Sequence, residues 1–244
     1  MRMKETVAAR AGSPTAVALT TIRVDSPKAG DGAVAAGDLA VAVAGKGRRV
    51  GRPRGFDREV ALSVAMDLFW RHGFEGTSTS QLTAAMGISP PSLYAAFGPK
   101  ESLYREALAL YGRRHGRFLS EPLAENLSAR EAIVQVLQGA ARQFSGAAHA
   151  AGCMVAYTDM SAAPDGAARV AEMAGLRQAA QRALQIRLEA AASSGELPDS
   201  ADAATWAAFI AMVVQGMAVQ ARDGADQATL LRMADLALMS WPRA

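Results

Sequence analysis

The sequence is poor in cysteine: Cys153 is the single thiol in 244 residues. One cysteine excludes an intramolecular disulfide framework and fits a reducing compartment. Long hydrophobic runs are missing too, for no stretch of about 18 consecutive apolar residues occurs, and no membrane span is expected. The apolar stretches near the N-terminus are broken by Arg10, Pro14, Arg23, Asp25, Asp31 and Asp38, which argues against a signal peptide. A cytoplasmic protein is therefore expected. Histidine is scarce: His72, His115 and His149 lie far apart, without metal-ligand spacing, and no nucleophile elbow surrounds a serine. No metal, cofactor or catalytic residue is expected, and the chain reads as a non-enzyme.

What is present is a half-hydrophobic, one-fifth charged composition, the balance of a globular protein. The net charge of +3 is unevenly spread. Residues 1–45 carry five basic and four acidic residues, residues 46–117 twelve and six, and residues 118–244 nine and thirteen. A basic segment joined to an acidic, alanine-rich remainder predicts an anionic partner for one part of the chain.

Residues 1–45 are rich in Ala, Gly and Val, hold no aromatic residue and sustain no period, so a disordered low-complexity tail without assigned function is expected. The stretch GKGRRVGRPRGFDRE follows, from Gly45 to Glu59. Its glycines do not make a phosphate loop, because no strand precedes them and the GK pair lacks the following Ser or Thr. Residues 46–54 read as a basic arm, either a solvated linker or, through Arg52 and Arg54, a reader of a narrow A·T minor groove.

From Asp57 onward the period turns helical. Leu62, Ala65, Met66 and Phe69 make one stripe, with Asp57 as N-cap and Gly73 as stop, so a helix is predicted over Arg58 to His72. Ser78 and Gln81 form a capping box for a short second helix with Leu82, Ala85 and Met86 inward, ending at Gly87. Ser89 then caps a third helix whose first residues are Pro90 and Pro91. The first N–H groups of a helix have no intrahelical acceptor, so prolines there forfeit no hydrogen bond and start the helix at a set place. With Leu93, Ala96 and Phe97 inward, the outer arc presents Pro91 and Ala95 flanked by Ser92 and Tyr94, a small, uncharged face. Two short helices with a glycine turn match a helix-turn-helix over about residues 78–97.

The stretch FWRHGFEGTSTSQLTAAMGISPPSLYAAFGPKESLYREAL, Phe69 to Leu108, resembles the DNA-binding domain of the TetR/AcrR family of bacterial transcription regulators. The likeness runs from Arg54 to Arg114 and rests on Gly73-Phe74, Thr77-Ser78, Gly87-Ile88-Ser89, Leu93-Tyr94, Phe97 and Lys100-Glu101 in order. Thr83 and Met86 depart from the small alanines usual there. The resemblance implies an all-α chain: a helix-turn-helix domain over 54–114, then a helical ligand-binding and dimerisation domain over 120–244. It implies that Ser89, Pro90, Pro91, Ser92 and Ala95 face base edges. Thr77, Ser78, Tyr94 and Lys100 would bind phosphates, and Arg52 and Arg54 would enter the adjacent minor groove. No Arg, Asn or Gln stands on the reading helix, so shape, thymine methyl contacts and water are expected to carry much of the specificity.

The remaining helices are expected over Lys100–Leu119, from the Ser128–Glu131 capping box to Phe144, over Cys153–Met160, Gly166–Ser193, Ala201–Arg222 and Gln227–Trp241. The last two are apolar on more than one face and need a second burial surface. The resemblance implies that they form the interface of a homodimer bound to an inverted-repeat operator in double-stranded DNA. It also implies that the preceding helices enclose a pocket for a small-molecule effector, whose binding usually releases a repressor. Candidate pocket residues are Gln143, Cys153, Tyr157, Trp206, Met212 and Gln215, although Met and Trp at helical spacing also read as plain core. Cys153 is either a buried inert thiol or a redox or electrophile sensor. The rival to a specific regulator is a sequence-tolerant architectural DNA binder held by its basic arm.

Overall fold

The computed structural model describes residues 56–146, 148–156 and 166–242. The tail, the basic arm with Arg52 and Arg54, and the pocket candidate Tyr157 lie outside the described residues. Among those described there are nine helices and no strand: α1 Arg58–His72, α2 Thr79–Met86, α3 Pro90–Phe97, α4 Lys100–His115, α5 Arg117–Ala124, α6 Ala129–Phe144, α7 Ala167–Ser193, α8 Ala203–Arg222 and α9 Gln227–Met239.

Local chemistry sets most of the boundaries. Asp57 accepts from the N–H groups of Glu59 and Val60, and Ser78 and Ser128 each complete a reciprocal capping box. Asp202 and Asp226 cap α8 and α9. Gly87 ends α2 in the left-handed region at φ 66°, where a Cβ would be strained. Its N–H and that of Ile88 take up the Ala84 and Thr83 carbonyls. This turn aims α3 away from α2.

Two hydrophobic cores form. The first unites α1 to α4 around Leu62, Phe69, Trp70, Leu82, Leu93, Phe97, Leu103 and Tyr104. Phe69 meets Tyr104 edge to face at 5.0 Å, a geometry worth about 0.5–1.5 kcal/mol beyond area burial. The second unites α6 to α9 around Ile133, Leu137, Phe144, Leu184, Leu188, Ile210 and Leu230. α7 belongs to both: Met173 is buried in the first core, while Leu184, Leu188 and Ala191 lie in the second. A helix of 27 residues spans about 40 Å, long enough to stitch the two. The link before it does the same, since Ala150 and Met154 are buried in the first core.

Several expectations need correction. The fourth helix stops at His115, and a separate helix, Arg117–Ala124, follows after Gly116. α5 lies so close to α6 that a Cβ on Gly139 would stand 2.9 Å from Phe118 Cβ. Residues 153–156 form a turn where a helix was expected. In α2, Thr83 turns inward in place of Ala85, its hydroxyl donating back to the Thr79 and Ser80 carbonyls at 3.0 and 3.1 Å. α8, with a mean hydropathy of 1.4 over 18 residues, is long and apolar enough to cross a membrane by length and composition. Its inner face packs on α6, α7 and α9.

Candidate nucleic-acid interface and effector cleft

The third helix, α3, is held from behind. Leu93 and Phe97 are buried, and Arg58 of α1 donates through Nε to the Ala96 carbonyl at 3.3 Å. The same guanidinium meets both carboxylate oxygens of Glu106 on α4 at 2.7 Å and lies 4.5 Å from the centre of the Phe97 ring. The last carbonyls of a helix lack intrahelical donors, so a cation there satisfies one and complements the dipole. Sequence reasoning passed over Arg58; its place at the start of α1 carries no local signal of what it will touch.

From the front, α3 is open. Ser89, Pro90, Pro91, Tyr94 and Ala95 are exposed and Ser92 is half-buried. Ser89 Oγ accepts from the Ser92 N–H and lies 2.9 Å from Ser92 Oγ. Tyr94 is 53% exposed, so its ring does not pack on α1. Ser78, at the exposed start of α2, offers its hydroxyl beside the unpaired N–H groups of the first turn, the usual setting of an anion site. Lys100 rests its ammonium 4.1 Å from the Phe74 ring centre, and burial against that ring lowers its pKa.

Thr77 is the exception among the expected phosphate binders. It is fully buried, and its hydroxyl donates to the Gly73 carbonyl at 2.7 Å. It staples the α1–α2 turn and does not face an anion. Arg114 donates to Ser63 Oγ at 2.7 Å, and Arg117 pairs with Glu121 at 2.6 Å.

The geometry invites comparison with known proteins. The pattern described as "Bacterial regulatory proteins, tetR family" matches residues 61–107. The HTH-type transcriptional repressor ComR of Escherichia coli K12 is 36% identical over 194 residues, covering 79% of this chain and 92% of ComR. The chain belongs to the TetR family. The HTH-type transcriptional repressor BdcR of the same organism is 43% identical over 105 residues, 43% of this chain and 53% of BdcR. Among solved structures, a cysteine-substituted form of the TetR family regulator CifR, complexed with a 26-bp double-strand operator DNA, is 40% identical with a TM-score of 0.76. That match covers 79% of this chain and all of the CifR chain.

In this TetR-family chain the five pocket candidates among the described residues do not converge. Met212 is 62% exposed and Gln215 is exposed, because both lie on the face of α8 turned away from α6 and α7. Trp206 sits near the other end of α8, 5.6 Å from Phe209 and 5.7 Å from Trp241. Cys153 is half-buried between the two cores. Of the described candidates, Gln143 lines a cleft. This cleft of about 370 Å³ lies between α5 and α6 and is walled by Arg117, Glu121, Gln135, Gly139, Gln143 and His149.

Two histidines that sequence spacing left apart meet here. Gln143 Nε2 lies 3.0 Å from His115 Nδ1 and 3.1 Å from His149 Nε2. His149 stacks on Trp70 at 4.6 Å, and His115 stands edge-on to the same indole at 4.7 Å. Burial, followed by neighbouring His149, holds the His115 pKa below the ordinary imidazole value. Among the described residues no group of three or more His, Cys, Asp or Glu side chains could hold a metal.

Proposed function

We propose that this TetR-family chain is a ligand-responsive transcriptional repressor that binds an inverted-repeat operator as a homodimer. The observation that carries the reading is α3 itself, an uncharged exposed face set by paired prolines and clamped from behind by Arg58. Its likeness to operator-bound CifR supports the same reading. Ser89, Pro91, Ser92 and Ala95 face base edges, where the proline ring and alanine methyl suit thymine methyls. Ser78, Tyr94 and Lys100 meet phosphates and set the register, and Arg52 and Arg54 add minor-groove contacts. Residues 46–54 serve as the arm, 54–114 as the reading head and 120–244 as the regulatory part, in a cytoplasmic protein that is not an enzyme.

A second copy of the chain covers the apolar face left open on the last two helices. Met212, Val219, Leu236 and Met239 are 62, 43, 66 and 75% exposed, more exposed apolar surface than a lone soluble chain usually leaves on one side. One reading helix sees a half-site, and a two-fold dimer sees an inverted repeat. The α5–α6 cleft is of the size that takes a small molecule, and an effector there biases the spacing of the two heads.

The test is selection from a random double-stranded DNA library at about physiological salt, with sequencing of the bound pool. An enriched inverted repeat is the expected result. A pool enriched only in A·T tracts would replace it with the architectural reading, in which the arm dominates.

A further inference from the structure

We infer that His149, Gln143 and His115 form a proton-operated joint between the effector cleft and the DNA-reading core. The inference rests on the reading of the α5–α6 cleft as the effector site, and deepens it by naming how the cleft wall is regulated.

The argument is one of donors and acceptors. An amide nitrogen only donates, and a carbonyl oxygen only accepts. His149 Nδ1 lies 2.9 Å from the Ala150 carbonyl, so Nδ1 carries a hydrogen in any protonation state. The charge of His149 is therefore decided at Nε2 alone. Facing Nε2 at 3.1 Å is the Gln143 amide nitrogen, a donor, so in this arrangement Nε2 is the accepting atom. The second hydrogen of the same NH2 points at His115 Nδ1, 3.0 Å away, which must also accept. His115 is then the neutral tautomer with its hydrogen on Nε2.

When a solvent proton arrives at His149 Nε2 through the cleft, that nitrogen becomes a donor and repels the amide NH2. Gln143 must rotate by half a turn, presenting its oxygen to both rings. His115 Nδ1 now faces an acceptor, and satisfies it by exchanging its hydrogen from Nε2 to Nδ1 or by taking up a second proton. Two states are self-consistent: the amide nitrogen between two neutral rings, and the amide oxygen beside a His149 imidazolium. Mixed arrangements leave a half-buried polar atom facing its like, which costs about 1–3 kcal/mol. The joint therefore switches as a unit.

Its members come from four parts of the chain. Trp70 on α1 is 1% exposed and takes both imidazoles against its ring; Tyr111 and His115 stack on α4 at 5.4 Å; Gln143 belongs to α6; His149 belongs to the link into α7. The new charge is attracted by the Trp70 face. From α1, Asp67 favours a proton on His115, while Arg114 on α4 opposes it. Arg117 and Glu121 on α5, Glu125 just after it and Arg142 on α6 share the cleft with His149. Gly146 is required for the ring's approach, since a Cβ there would stand 2.8 Å from His149 Nε2.

The experiment is long-range 1H–15N correlation of the imidazoles in the full-length protein, from about pH 8 to about pH 5, beside operator affinity over the same range. At the upper end His149 is expected as the Nδ1–H tautomer and His115 as the Nε2–H tautomer. The two rings should change tautomer together. Gln143→Glu, whose carboxylate only accepts, should hold the protonated state at neutral pH and give there the operator affinity that the unaltered protein shows at the acid end. Mixed tautomers in the unaltered protein, or rings that change state independently with affinity unmoved by Gln143→Glu, overturn the joint. The effector-site reading fails separately, if Gln135→Ala and Arg142→Ala leave the response to a bound small molecule intact while the tautomers stand as expected.

Discussion

Arg58 and Glu106 lie 2.7 Å apart, and through this pair the first helix of the reading head grips the fourth. The same guanidinium donates to Ala96 at the end of the reading helix, so a single side chain ties α1, α3 and α4 together. Both partners of the pair are 37% exposed, and solvent screening limits its worth to about 1 kcal/mol or less. The larger consequence is positional. Arg58→Met is expected to lower the melting temperature by about 2–4 °C and to weaken operator binding several-fold at 25 °C, where the protein remains folded. Loss of stability with unchanged affinity, measured by fluorescence anisotropy on the selected operator, would reduce the contact to a structural one.

Lys100 and Thr77 should separate by salt. If Lys100 meets a phosphate, Lys100→Met lowers operator affinity and reduces the slope of log affinity against log salt by about one. Thr77→Val removes the hydroxyl that donates to Gly73 and should cost about 1 kcal/mol of stability while leaving that slope unchanged. A shallower slope for the Thr77 variant would return this residue to the interface.

Leu236→Glu places a charge on the exposed apolar face of α9. A dimer formed through that face must bury the carboxylate, so sedimentation should show a monomer with helical content intact. Operator affinity should fall with it, because each half-site is then bound alone. A dimer that survives would move the interface elsewhere.

Acid stability should report Glu196. Its carboxylate accepts the Ala129 N–H at the start of α6 at 2.5 Å, and that hydrogen bond holds its pKa below the ordinary value of 4.5. The folded state releases this proton more readily than the unfolded chain. The contribution to stability is therefore full above pH 4.5 and is lost as pH falls through the lowered folded value. Glu196→Gln should flatten the acid limb of the melting curve, with the two proteins converging at the lowest pH. A parallel offset at every pH would mean that the carboxylate charge plays no part.

His115 predicts a second pH limb. Its folded pKa is depressed below the ordinary 6.5, chiefly by burial, so the neutral ring stabilises the fold above pH 6.5 and that stability is lost on acidification below it. His115→Gln should remove this limb from thermal melts between about pH 5 and 7. An unchanged profile would place the ring in water.

The reading head was legible because its signals are local. Asp57, Ser78 and Ser89 act on N–H groups two or three residues away. The spacing of three and four that buries Leu62, Ala65, Met66 and Phe69 is contained within one helix. Ser128 acts in the same way at the start of α6. Thr77 misled because its hydroxyl reads alike whether it points to water or to the Gly73 carbonyl, and only the folded turn buries it. The break at Gly116 had little local signal, since Arg117 to Leu119 continue the polar and apolar rhythm of α4.

By itself, then, the sequence determined the order of the helices, the start of the reading helix at Pro90 and the uncharged character of its outer face. Each depends on hydrogen bonds and sterics spanning about one helical turn. Tertiary structure alone decided which side chains meet across helices. It brought Arg58 to Glu106, turned Met212 and Gln215 outward, and folded the link after α6 so that His149 came to Gln143 and His115 against Trp70. Those contacts come from the burial of two cores, a non-directional force that sums over the whole chain and leaves no mark at any single position.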